Sequence, residues 1–231
     1  MQLLSGKNPE AAGSTLAESI RMALIKDLAS GAMRPGHPID EKALGARFST
    51  SRTPIREAIL QLAAQGFVVM SPRSGASVPK LSMHMLREML ELLGELEAVA
   101  AGYAARRMKP GERQQLERSV EACAQAAAND DAAAYERAND DFHQLIYDGC
   151  RNGALVEQIV MLRTRCAAYT ARRFESPGRM QRSVKEHGDV SRAIADADSG
   201  AAREAMLAHI SIGGKDFAEF VSGLPPELLG I

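Results

Sequence analysis

Aromatic side chains are scarce in this chain of 231 residues: there is no tryptophan, and only four tyrosines and six phenylalanines. Ala, Leu, Met, Glu and Arg are plentiful, and that balance favours helices over sheets. Only three cysteines occur (Cys123, Cys150 and Cys166), with no CxxC pair. This excludes a disulfide framework and suits a reducing cytoplasm, with each thiol expected to be buried and inert. No apolar run is long enough to span a membrane, and Met1–Lys7 lacks the layout of a signal peptide. Gly-rich phosphate loops and internal repeats are also missing. What remains is a helix-rich chain long enough for one large domain or two modest ones.

The net charge of −1 conceals an uneven distribution. Residues 14–80 hold nine Lys/Arg against five Asp/Glu, a net of +4, whereas residues 81–231 hold eighteen against twenty-three, a net of −5. A basic front and an acidic rear direct only the front toward polyanions. Within the front, Ser14 or Thr15 can cap a helix through Leu16, Ile20, Leu24 and Leu28 that ends near Gly31. Arg34-Pro35-Gly36 forms a turn, and Asp40 caps a short helix reaching about Phe48. Ser49-Thr50-Ser51 then leads into a helix over Arg52–Gln65, with Pro54 in its first turn and Ile55, Ile59 and Leu62 on its inner face. Arg52 and Arg56, one turn apart, present cations at the start of that helix. Phe67–Met70 and Ala76–Val78 read as strands around a turn at Ser71–Gly75. Helix, turn, helix and hairpin is a winged helix-turn-helix.

This segment, Leu16–Pro79, resembles the DNA-binding domain of the GntR family of bacterial transcription regulators. The resemblance is carried by Arg34-Pro35-Gly36, Ser51-Arg52-Thr53-Pro54-Ile55-Arg56-Glu57-Ala58, Leu62, Gly66, Pro72-Arg73-Ser74-Gly75 and Val78. It implies that Lys42, Arg52, Thr53, Arg56 and the wing residues Arg73 and Gly75 meet double-stranded DNA. Arginine can read guanine O6 and N7 with two hydrogen bonds, whereas Lys42 suits a phosphate. Two positions depart from the family pattern: Ser49 stands where glycine is usual, and Thr50 where valine is usual.

From Ser82 onward the sequence is helical almost throughout, with segments at 82–108, 112–128, 131–149, 153–174, 180–198 and 201–221 and a tail at Leu224-Pro225-Pro226-Glu227. Short connections make these an antiparallel all-α bundle. The expected architecture is therefore mainly α, with a winged helix-turn-helix over 14–80 and a six-helix domain over 81–223. His143, His187 and His209 fall on three different helices, and Asn139 lies one turn before His143. Imidazoles converging inside a bundle can hold a divalent metal; isolated ones act as hydrogen-bonded structural residues.

The rear resembles the FCD effector domain of FadR-like GntR regulators, through Asn139-Asp140-Asp141-Phe142-His143-Gln144-Leu145, Asn152 with Leu155, Glu186-His187 and Met206-Leu207-Ala208-His209. The resemblance implies a metal held by Asn139, His143, His187 and His209 and contacted by a small carboxylate effector. A neutral amide with three imidazoles suits zinc or nickel better than calcium or magnesium. Asp140 is a candidate supporting partner or an alternative ligand, and the histidines could instead bind an anionic effector directly. Leu93 occupies the position, four residues before Glu97, where an effector-binding arginine is usual. Arg163, Arg165 or Arg172 could replace it, with Arg165 favoured, and Asn152 is a further effector candidate.

The function implied is a ligand-responsive regulator, most simply a repressor, that binds a pseudo-palindromic operator as a homodimer in the cytoplasm without membrane attachment. The segment Pro79–Ser82 is the expected point of transmission. Two other readings stand beside it: a metal-dependent helical enzyme with a DNA-binding appendage, and an architectural DNA binder with no ligand.

Overall fold

The computed structural model describes residues 15–171, 173–210, 217, 220–224 and 228. Ser14, Met1–Lys7, Arg172, most of the expected helix beyond Ile210 and Pro225–Glu227 of the tail lie outside these residues. Thr15 caps α1 (Leu16–Ala29) by accepting from the Glu18 amide at 3.2 Å. Ile20, Leu24, Ile25 and Leu28, at intervals that keep them on one helical face, form its buried stripe, while Leu16 stays exposed. Asp40 accepts from the Lys42 and Ala43 amides and so begins α2 (Glu41–Arg47). After the Ser49 turn comes α3 (Arg52–Ala64), whose Ile55, Ala58, Ile59 and Leu62 pack toward α1. Burying each larger side chain of this set contributes about 1.5–3 kcal/mol.

The end of α3 is sharply defined. Phe67 N–H donates to Leu62 O at 2.9 Å and Gly66 N–H to Ala63 O at 3.0 Å. Gly66, at φ 73°, occupies the left-handed position that this Schellman arrangement requires. The wing follows as β1 (Val69–Ser71) and β2 (Gly75–Ser77), antiparallel with Met70 opposite Ala76. Both strands differ from the sequence expectation for a packing reason. Phe67 and Val68 turn into the core instead of extending the hairpin, and Val78 N–H donates to His37 O, so the Gly36–Ile39 segment lies along the outer side of β2.

The rear unit comprises α4 (Met83–Arg107), α5 (Pro110–Ala128), α6 (Ala132–Cys150), α7 (Gly153–Thr170), α8 (Arg179–Ala195) and α9 (Ser199–Ile210). Helix α5 starts two residues earlier than expected because Pro110 is tolerated in a first turn and Glu112 accepts from the Lys109 amide at 2.7 Å. Helix α7 stops at Thr170, and a single 3-10 turn, Arg173–Glu175, takes the place of its expected last turn. Central α4 packs against α9, α6 and α7. Its buried Ala98, Ala100, Ala101, Ala104 and Ala105 allow those neighbours to approach closely. The three cysteines are free and buried. No described helix is long and apolar enough to cross a membrane. The two units meet where α7 packs on α1, and the Tyr169 hydroxyl accepts from the Leu81 amide at 2.8 Å.

Ser49, in the position where the GntR pattern has glycine, adopts φ 51°. A left-handed backbone costs a non-glycine residue about 1–2 kcal/mol, whereas glycine loses roughly 0.5–1 kcal/mol more on ordering. Ser49→Gly should therefore raise unfolding stability by about 0.5 kcal/mol in urea denaturation, the reverse of the usual effect of glycine. A loss of stability would contradict the strain assigned to this turn.

Candidate metal centre and nucleic-acid interface

Four helices converge on one buried polar cluster. Helix α4 supplies Glu97, α6 supplies Asn139 and His143, α8 supplies His187, and α9 supplies His209, all within the core. The inward faces of these helices carry the polar residues into place. His143 follows buried Phe142 and precedes buried Ile146, and His187 lies between buried Ser183 and Val190.

The Nε2 atoms of His187 and His209 are 3.2 Å apart, and those of His209 and His143 are 3.3 Å apart. One ligand atom from each of the three rings lies within 4.8 Å of the others. On the far side of the rings, His209 Nδ1 hydrogen-bonds Glu186 Oε2 at 2.8 Å, and His143 Nδ1 lies 2.9 Å from Glu97 Oε2 as a charge contact without hydrogen-bond geometry. An ionised carboxylate only accepts, so it assigns the proton to Nδ1 and leaves Nε2 as a lone pair. His143 and His209 thus face one another acceptor to acceptor. Burial holds all three imidazoles below their usual pKa, His143 down to about 3, so protonation does not supply a donor near neutrality.

A cation between the nitrogens removes the conflict. Tetrahedral coordination at metal–nitrogen distances of about 2.0–2.1 Å places ligand atoms roughly 3.3–3.4 Å apart, close to the separations here. Asn139 strengthens the fit, because its Oδ1 and Nδ2 are both buried without a hydrogen-bond partner. An amide in that state carries a desolvation penalty that coordination through Oδ1 would offset. The residues present therefore fit a divalent ion with a preference for nitrogen ligands.

Glu97 organises the cluster from behind. Burial alone would raise its pKa, but the Arg163 charge, with the contacts from Arg163 and His143, outweighs that and holds the carboxyl well below its usual range. Arg163 donates through Nε to Oε1 at 2.8 Å and through Nη2 to Oε2 at 3.2 Å. This two-point pair is geometrically specific. Arg179 donates to Glu186 Oε2 at 2.9 Å and supports the carboxylate behind His209. Arg173 rests over the Phe174 ring at 4.5 Å. Burial, followed by the like charges of Arg163 and Arg179, pushes its pKa down to about 10. Arg163 and Arg179 thus stand behind the carboxylates that face His143 and His209, and the Arg173 charge acts on His187 and His209 from nearby. A groove of about 440 Å³ between α5 and α6, around Gln125, Asp131 and Arg137, includes none of these residues.

Asn152 and Arg165, the expected effector contacts, lie elsewhere. Asn152 is the N-cap of α7, its Oδ1 accepting from the Leu155 amide at 3.2 Å. It lies about 16 Å along the helix axis from Arg163. Arg165 leaves α7 on the side away from Arg163 and lies against Gly66. Leu93 is a buried core residue. Sequence reasoning treated Glu97 only as a landmark and did not assign Glu186, Arg173 or Arg179 to the site. The adjacency of Glu186 to His187 was the one available signal.

The candidate nucleic-acid face lies in the front unit. Arg52, Thr53 and Arg56 are exposed along the first turns of α3, and its N-cap Ser51 makes no side-chain capping bond. Open amides and the helix dipole add positive potential to that end. Lys42 is exposed on α2, and Arg73 and Gly75 are exposed at the wing turn, with φ 69° and 77°. Glu41 accepts from Arg56 Nε at 2.9 Å and aims that side chain, a support that sequence spacing did not reveal.

The sequence pattern of bacterial regulatory proteins of the gntR family matches residues 16–78, and that of the FCD domain matches residues 88–211. The HTH-type transcriptional repressor RspR of Escherichia coli K12 is 26% identical over 193 residues, covering 84% of this chain and 85% of that protein. A probable D-xylose utilization operon transcriptional repressor of Paenarthrobacter nicotinovorans is 28% identical over 143 residues, covering 62% and 63% of the two chains. Among solved structures, E. coli McbR/YncC superposes with a TM-score of 0.74 at 23% identity, covering 91% of this chain and 99% of that one. The fold is thus shared along nearly the whole length.

Glu97→Gln keeps the shape of the side chain while removing the charge that faces His143 and Arg163. Zinc affinity, measured by chelator competition, should fall by about 10–100-fold, the usual consequence of losing a carboxylate behind a histidine ligand. Unchanged affinity would show that Glu97 does not support a metal site.

Proposed function

This chain belongs to the gntR family of bacterial regulatory proteins, in the group that carries an FCD domain, and is a transcriptional regulator, not an enzyme; from that premise we propose that it is a ligand-responsive repressor acting as a homodimer on a pseudo-palindromic operator in the cytoplasm. The observation that carries the reading is the exposed set Arg52, Thr53 and Arg56 at the uncapped start of α3, beside the wing turn bearing Arg73. Arg52 and Arg56 read base edges, while Lys42, Thr53 and the wing hold the backbone and add salt dependence. A two-fold dimer presents two such heads to two half-sites.

In the rear domain, Asn139, His143, His187 and His209 would hold a zinc- or nickel-class ion. When bound, such an ion supplies a Lewis-acidic position that a carboxylate oxygen can occupy. Arg173 supplies positive charge for a small organic acid, while Arg163 and Arg179 are already paired with Glu97 and Glu186. An anion would relieve the mutual repulsion that, together with burial, depresses Arg173. The effector acts by binding one arrangement of the reading heads better than another.

The test uses a duplex selected from random DNA by the wild-type chain. Arg52→Ala or Arg56→Ala should weaken binding to that duplex by roughly 5–150-fold, corresponding to about 1–3 kcal/mol per two-point base contact. Far-UV circular dichroism should remain that of the wild type. An unaltered footprint from both variants would contradict the proposed reading face.

A further inference from the structure

Helix α7 carries arginines on two opposite sides. Positions 163 and 165 are about 200° apart on a helix of 3.6 residues per turn. Arg163 reaches inward to Glu97 beside the histidines, with Nε 2.8 Å from Oε1. Arg165 reaches outward to the DNA-reading unit. Its Cζ, Nη1 and Nη2 lie 3.5, 3.6 and 3.7 Å from the point where a β-carbon on Gly66 would stand. Three nearly equal distances place the planar guanidinium flat over the glycine.

The contact falls at a specific part of the reading helix. Gly66 terminates α3, and its Schellman bonds occupy the Leu62 and Ala63 carbonyls. The carbonyls that follow form the negative end of the helix dipole, where a cation is favoured. Arg165 Nε is buried and makes no hydrogen bond, and the guanidinium packs over Gly66. The same face of α7 carries Met161, packed on the core of the front unit, and Ala168, which with Thr164 and Arg165 meets Leu28 and Phe67. The space left in that crevice is about 20 Å³, room for one water at most. Tyr169, one residue further on, binds the Leu81 amide of the linker.

We propose that Arg165 is a positioning residue that docks the end of the reading helix onto the effector domain and, through α7, ties its placement to the Glu97–Arg163–His143 cluster. The inference rests on the regulator reading above and adds the residue through which the sensing site reaches α3. A shift or roll of α7 moves Arg163 and Arg165 together because both project from one rigid element. The linker at Pro79–Ser82 then acts as a tether fixed at Tyr169, and Arg165 sets the orientation.

Pulsed dipolar spectroscopy on the full chain tests this without DNA. Nitroxides go on Glu57→Cys in α3 and Glu121→Cys in α5, both exposed, while the three natural cysteines are buried. Labelled chains are diluted with unlabelled protein so that distances within one chain dominate. The wild type should give one narrow distribution, and Arg165→Ala should widen it by about twofold, since units without a specific dock move freely. Arg165→Lys, which keeps the charge and loses the planar face, should widen it less. Zinc content should be unchanged in both, a result that separates loss of docking from loss of fold. A distribution of wild-type width in folded Arg165→Ala overturns the proposal. If that variant does not fold, a wild-type width in Arg165→Lys overturns it by the same criterion. Failure of the DNA reading would appear instead as unaltered footprints from the Arg52 and Arg56 variants.

Discussion

Two hydrogen-bond acceptors face each other inside the rear domain, and much of the structure is arranged around that conflict. The Nε2 atoms of His143 and His209 lie 3.3 Å apart, and carboxylates beside both opposite nitrogens, Glu186 by a hydrogen bond and Glu97 by a charge contact, favour the proton on the far side of each ring. In water the rings would rotate or protonate. In the core, four packed helices fix their directions, and burial disfavours the charged form. A bound cation would convert the repulsive arrangement into coordination, and the buried amide of Asn139 would gain a partner in the same way. Polar groups of this kind are costly in a core and are retained where they bind something.

The supporting charges follow from that constraint. A carboxylate buried beside His143 stays ionised only because Arg163 pairs with it at two points. Removing one member of such a buried set typically costs about 3–5 kcal/mol, so the cluster behaves as a unit. Arg163 brings α7 into that unit, and α7 is also the helix against which the front domain packs. The histidine cluster and the front unit therefore pack on one shared helix. Exposed cations mark one end of α3, the proposed reading end, while the other end of α3 lies under Arg165.

The parts legible in the sequence were those written locally. Ser51–Ala58 carries its own turn, proline, cations and apolar face within a few residues, so the reading helix could be placed directly. Helix boundaries in the rear followed from Gly, Pro and Asn breaks, and the three histidines stood out as rare residues on separate helices. Long-range pairings were not legible. Helical spacing tells which side of α7 Arg165 occupies relative to Arg163, but not that one side faces Glu97, 66 residues away, and the other Gly66. Neither the place of Arg165 against Gly66 nor the cap that the Asn152 side chain forms on α7 is written in local spacing. Glu97 was overlooked because an acidic residue on a helix ordinarily faces solvent.

X-ray absorption at the zinc edge of the reconstituted full-length protein bears most directly on the central claim. The account predicts a first shell of light atoms at about 2.0–2.1 Å, with the outer-shell scattering of three imidazoles and at least one oxygen. His209→Ala should reduce the imidazole contribution by one. A spectrum of oxygen ligands alone, or one unchanged by His209→Ala, would contradict a metal centre built on these histidines.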